Sequence, residues 1–185
     1  MSPIRLRVAV VALALAAFPP GGAAARVLMT RDAALAQAFG PRAKVTTRTV
    51  FLTPDEVKSV EQAAGAKLAS AHVTSYRGTV GDTLVGTAYL DTHPVRSQME
   101  TILIVINRDG RVGAVEVLAF NEPDDYLAPV RWLDRFDGQV LSKDLRPGQA
   151  VPTLAGATLT ARAVSAATRR TLALHALLTA AGGKR

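Results

Sequence analysis

The 185-residue chain contains no cysteine, which excludes disulfides, thiolate metal sites and a lipid anchor on a lipobox cysteine. Its formal charge of +7 is spread out, with no run of Lys or Arg longer than two, and only 5% of its residues are aromatic. A basic patch interleaved with aromatics is absent, which argues against nucleic-acid binding. The basic excess favours solubility and attraction to an anionic membrane face or an acidic partner.

Met1–Arg7 carries Arg5 and Arg7 and no acid, and Val8–Phe18 is an apolar run of 11 residues. PPGG and then Ala23-Ala24-Ala25 follow, completing the n-region, h-region and small-residue cleavage pattern of a secretory signal peptide over residues 1–25. The run is short of the roughly 20 apolar residues that a membrane span needs. The protein is therefore expected to be exported to the periplasm or another extracytoplasmic space, and to be membrane-associated if the segment stays on as an anchor. Cleavage after Ala25 removes Arg5 and Arg7, lowers the formal charge from +7 to +5 and leaves 160 residues. One domain of that length buries about 70% of its unfolded surface.

Thr30–Phe39 spaces its apolar residues as a helix does, with Thr30 as cap and Gly40-Pro41 as stop. Val45–Leu52 is β-branched and aromatic and predicts a strand. Thr53-Pro54-Asp55-Glu56 is a capping box with proline at the first helical position, opening a helix that ends at Gly65. His72–Gly78 and Thr83–Leu90 alternate as strands, joined through Gly81-Asp82. Thr101–Ile106, TILIVI, is continuously apolar and predicts a buried central strand. The Asp109-Gly110 turn returns the chain along Val112–Phe120, a strong hairpin signal. Arg131–Phe136 predicts a short helix and Lys143–Pro152 a polar loop. From about Thr160 to Ala180, Ala163, Val164, Ala167, Thr171, Leu174, Leu177 and Leu178 form one apolar stripe, with Arg162, Arg169 and Arg170 off it. Residues 181–185 end in a frayed basic tail. The class is α+β: an antiparallel or mixed sheet with a central hairpin, flanked by helices and closed by an amphipathic C-terminal helix. Residues 26–80 are expected to belong to the same globular unit as residues 81–180.

Acid–base and metal chemistry find little support. His72, His93 and His175 lack metal-ligand spacing, and no G-x-S-x-G, Walker A or G-x-G-x-x-G element is present. Glu122, Asp124 and Asp125 surround a proline, as solvated turns do. The notable stretch is Val151–Val164, VPTLAGATLTARAV, where small residues and two threonines stand at the start of a helix.

With the hairpin ahead of it, Gly156-Ala157-Thr158-Leu159-Thr160 resembles the FMN-binding domain family, which includes the C subunit of the sodium-pumping NADH:quinone oxidoreductase and the G subunit of the Rnf complex. The similarity runs roughly from Gly86 to Leu178 and takes in TILIVINRDGRVGAVEVLAF, NEPDDYL and RWLDRFDGQ. Family members carry S/T-G-A-T, whose threonine is esterified to the phosphate of FMN by a flavin transferase that uses FAD and Mg²⁺. The resemblance implies FMN as cofactor, Thr158 as its attachment point, a transferase for maturation and membrane electron-transfer proteins as partners. Ala155 stands where the family has Ser or Thr, and Pro152 where an acid often sits.

The residues themselves support a phosphate site. A helix start offers unpaired amides and the positive dipole end, Gly156 and Ala157 let backbone approach a ligand, and Arg162 shares a face with Thr158. Tyr126, Trp132 and Phe136 are candidate walls for the flavin ring, and Asn121 with Glu122 a candidate polar edge. Beside this stand plainer readings: Thr158 or Thr160 as a simple N-cap, Arg162 as a solvated helix residue, and Trp132 with Phe136 as core. Tyr89 and Glu100 receive no role. The leading expectation is an electron-transfer flavoprotein; a flavin-dependent reductase and a cofactor-free module of the same fold are the alternatives.

Overall fold

The computed structural model describes residues 26–182, so the signal peptide expected over residues 1–25 and the last three residues of the expected tail lie outside the described residues. Helix α1 (Arg31–Phe39) is capped by Thr30, whose hydroxyl accepts from the Ala33 amide at 3.3 Å, and ends at Gly40. Strand β1 (Lys44–Phe51) leads to α2 (Pro54–Ala64), where the Thr53 hydroxyl accepts from the Glu56 amide and the Glu56 carboxylate accepts from the Thr53 amide at 2.8 Å. Gly65, at φ 61°, supplies the left-handed conformation that ends α2.

Strands β2 (His72–Val80), β3 (Thr83–Pro94), β4 (Met99–Asn107) and β5 (Val112–Phe120) follow, and the five strands form one antiparallel sheet in sequence order. The chain then passes through a 3-10 turn at Asp124–Tyr126, the short α3 (Val130–Leu133), a second 3-10 turn at Asp134–Phe136 and a loop before α4 (Thr158–Gly182). The fold is α+β.

The sheet has helices on both faces. Val73, Tyr89, Ile102, Ile104, Ile106, Val112 and Val115 pack against buried residues of α2, α3 and α4. Tyr76, Ala88, Leu103, Val105 and Leu118 alternate onto the other face, against Ala34, Leu35 and Phe39 of α1. Because β4 is covered on both sides, Ile102–Ile106 is apolar without a break. The β4–β5 hairpin lies at one side of the sheet, with β5 outermost, and residues 26–29 cover its edge: Leu28 donates to Leu118 and Phe120 donates to Arg26. Such cover blunts an open edge.

Two features differ from the sequence expectation. Strand β3 continues past Leu90 to Pro94, because the polar side chains of Asp91 and His93 find buried partners. Helix α4 is buried well beyond its predicted stripe: Ala161, Ser165, Thr168 and Leu172 are also inside, the hydroxyls of Ser165 and Thr168 donating to carbonyls one turn back at 2.8 and 2.9 Å. Arg169 and Arg170, expected off the apolar stripe, are half-buried, Arg169 donating to the carbonyls of Ala64 and Leu145 and Arg170 to Asp91.

Candidate functional site

The site is built where three segments distant in sequence meet: the β3–β4 turn, the loop after β5 and the start of α4. One carboxylate organises the first two. Glu122 Oε1 accepts from the amides of Arg96, Ser97 and Gln98 at 3.1, 2.6 and 2.8 Å. These amides, Ser97 and Gln98 above all, hold the Glu122 carboxyl below its ordinary range. The turn so fixed presents Arg96, whose guanidinium lies 5.0 Å from the centre of the Tyr126 ring. The Thr160 hydroxyl joins the third segment by donating to the Tyr126 carbonyl at 2.6 Å.

Between them lies an open cleft of about 240 Å³, lined by Val95, Arg96, Tyr126 and Gly156–Thr160. Gly156 has φ +78°, a conformation a side chain would strain, and it turns the chain into α4. The first helical hydrogen bond runs from the Ala161 amide to the Ala157 carbonyl at 3.0 Å, so the amides of Thr158, Leu159 and Thr160 precede the helical ladder. Thr158 is exposed, Leu159 is 45% exposed, and Thr160 is fully buried with its hydroxyl engaged. Neither threonine is an N-cap, since α4 begins at Thr158 itself.

Of the residues singled out in the sequence, Gly156, Ala157, Thr158, Leu159, Thr160 and Tyr126 meet at this cleft. Arg162 is exposed and does not line it. Asn121 accepts from the Arg26 amide at 3.0 Å, and Glu122 lies beneath the cleft as the brace of the Arg96 turn; neither is a free polar edge. Trp132 and Phe136 are core residues, 5% and 0% exposed, packed edge to face at 5.2 Å. Trp132 donates its indole N–H to the Pro152 carbonyl at 2.9 Å and borders a different open cleft, with Arg131, Arg135 and Ala155. The plainer reading of their spacing holds, because a shared helical face says nothing about what covers it. Arg96 was missed in the sequence: it sits in a turn, far along the chain from Thr158, with no periodicity to mark it.

Tyr89 and Glu100, without a role in the sequence, belong to a buried polar row between β3, β4 and α4. The His93 ring nitrogens face Asp91 Oδ1 at 2.8 Å and Glu100 Oε2 at 3.0 Å, and Arg170 grips Asp91 with two hydrogen bonds. Glu100 is fully buried and its Oε1 has no partner among the described residues. Burial opposes a charged His93, but its hydrogen bonds to Asp91 and Glu100 outweigh that and raise its pKa. Burial likewise opposes an ionised Asp91, and hydrogen bonds from His93 and Arg170 still lower its pKa. The Tyr89 hydroxyl is bonded to His175 Nδ1 at 3.0 Å.

Among the described residues no three His, Asp or Glu side chains are grouped to hold a metal ion, and no helix is long and apolar enough to cross a membrane. No family model matches this chain, and no curated protein matches it.

The donor set at the cleft suits a phosphate monoester: helix-start amides, an exposed hydroxyl and a guanidinium. Its volume is below the roughly 300–1,000 Å³ of pockets that enclose a whole small molecule. It has room for the phosphate end of a nucleotide-like ligand, with Val95, Leu159 and Tyr126 as apolar surface at the mouth. The ring slot expected from Trp132 and Phe136 is not part of it.

Proposed function

We propose that this chain is an extracytoplasmic flavoprotein that carries FMN at the α4 cleft, esterified through its phosphate to Thr158, and exchanges electrons with membrane partners. The carrying observation is the contrast between the two threonines of the motif. Thr158 offers an exposed hydroxyl on a cleft lined by Arg96, while the Thr160 hydroxyl is buried and spent on the Tyr126 carbonyl. The resemblance of Gly156-Ala157-Thr158 to the family's attachment motif supports the same residue.

Thr158 would hold FMN through a phosphoester formed from FAD, with AMP as the leaving group and the hydroxyl proton released. Bound FMN would supply the one- and two-electron chemistry. The chain's own part is positional. Arg96 and the first amides of α4 offset the phosphate charge. Glu122 fixes the turn that carries Arg96, and Thr160 ties Tyr126 to the helix start. A cofactor-free module of the same fold is the second reading, and the burial of Trp132 and Phe136 in the core is what favours it.

The test is in-gel ultraviolet fluorescence after denaturation of protein co-expressed with a flavin transferase, beside Thr158→Ala and Thr160→Val. A fluorescent wild-type band, lost in Thr158→Ala and kept in Thr160→Val, is expected. A dark wild-type band from protein that is also colourless before denaturation would sink the flavin reading and leave the cofactor-free module.

A further inference from the structure

A second cavity, of about 320 Å³, opens on the α4-covered face of the sheet near the other end of that helix. Thr158 and His175 are about 25 Å apart along the helix at ~1.5 Å per residue, so it is separate from the Thr158 cleft. Strand register builds its wall. Arg48 of β1 is opposite Ser75 of β2, Ser75 is opposite Tyr89 of β3, and Arg77 is opposite Thr87. Arg108 reaches in from the β4–β5 turn, and His175 and Leu178 of α4 close the other side.

Three guanidinium groups thus line one cavity whose lining includes no Asp or Glu. Arg26, Arg31, Arg111 and Arg170 each pair with a carboxylate. Arg48, Arg77 and Arg108 have no carboxylate partner and no side-chain hydrogen bond among the described residues. Like charges gathered around one partly enclosed space repel, and a bound anion relieves that repulsion. The bonded Tyr89–His175 pair sets a neutral polar group beside the arginines, and burial first, then Arg77, depresses the His175 pKa and keeps it uncharged. Val50, Leu84 and Leu178 add apolar wall, which suits an organic body rather than a bare inorganic ion.

We propose that this cavity binds a small organic anion bearing two or more carboxylate or phosphate groups. Guanidinium forks match both groups in a bidentate manner, and the volume fits a small metabolite-sized molecule. The competing account is that the arginines only answer the negative end of the α4 dipole.

Isothermal titration at low ionic strength decides, with citrate and pyrophosphate as probes and acetate and glycerol as controls. Citrate or pyrophosphate is expected to bind, with acetate at least about tenfold weaker and glycerol silent. Arg77→Gln and Arg108→Gln are each expected to weaken binding about tenfold. Arg42→Gln, which removes the same charge from an exposed position outside the cavity, is expected to change it less than about twofold. Arg96→Gln serves as the control for the other cleft. Absence of binding heat, an equal loss in Arg42→Gln, or a loss confined to Arg96→Gln would each overturn the proposal. Retained circular dichroism and melting temperature in the arginine variants show that any loss is one of binding rather than of fold.

Discussion

The hydroxyl of Thr160 donates to the backbone carbonyl of Tyr126 across 2.6 Å, joining the first turn of α4 to the loop after β5. That bond shapes the cleft at Thr158 and settles how the two threonines of the motif differ. One hydroxyl is inside, holding two segments together; the other is on the surface and available to a reagent.

The two positions therefore separate stability from chemistry. Thr160→Val keeps the side-chain shape but strips a partly buried carbonyl of its partner, at a cost of about 1–3 kcal/mol. For a domain of this size that is roughly 2–4 °C of melting temperature per kcal/mol. Thr158→Ala, at an exposed site, is expected to stay within about 0.5 kcal/mol of wild type. Denaturant unfolding of both variants without flavin checks this. Equal stabilities, or a larger loss in Thr158→Ala, would contradict the assignment of roles.

His93 faces a carboxylate oxygen on each side of its ring, at 2.8 and 3.0 Å, which calls for two N–H donors and a positive charge. The formal charges of Asp91, Glu100, doubly protonated His93 and Arg170 sum to zero. The raised His93 pKa fixes the sign: its contribution is complete below the ordinary value of about 6.5 and fades as pH rises through the folded value. Unfolding free energy is expected to fall as pH rises above about 6.5, and the slope to flatten in His93→Gln. His175, whose pKa is lowered, acts in the opposite sense, its cost growing as pH falls below about 6.5. The two are thus read on different sides of that value. Arg170→Met, which leaves Asp91 buried and short of its cation, is expected to cost about 3–5 kcal/mol.

Phe39 lies directly over Gly78, and a Cβ placed on Gly78 would stand 2.6 Å from Phe39 Cδ2. The glycine is needed here for space rather than for backbone freedom. Gly78→Ala is expected to destabilise the protein by about 1–3 kcal/mol through overpacking. With Phe39→Ala already in place, the same change is expected to cost much less, a coupling of about 0.5–3 kcal/mol in a double-mutant cycle. Additive effects of the two changes would show that the ring does not press on this position.

The elements that could be read along the chain are those made by neighbours in it. The Thr30 cap, the Thr53/Glu56 capping box, the left-handed stop at Gly65 and the Asp109-Gly110 hairpin each depend on hydrogen bonds or dihedral angles within a few residues. TILIVI announced a buried central strand because cover on both faces favours an apolar side chain at every position of Ile102–Ile106. Gly156-Ala157-Thr158 could be picked out as a helix start with an unusual density of small and hydroxyl-bearing residues for the same local reason.

What lay across those elements was decided only by tertiary structure. Trp132 and Phe136 share a helical face in any account of their spacing, yet whether that face meets a ligand or the core depends on the sheet beneath it. Arg96 enters the cleft because Glu122, beyond β4 and β5, gathers three amides of its turn. Asp91, His93, Glu100 and Arg170 look like solvent residues singly and are stable inside only as a set whose formal charges cancel. Local hydrogen bonding and side-chain periodicity are properties of a short segment, so they are written in its sequence. Charge compensation and cleft formation are properties of pairs brought together by folding, and a polar residue carries no mark of the distant partner that will bury it.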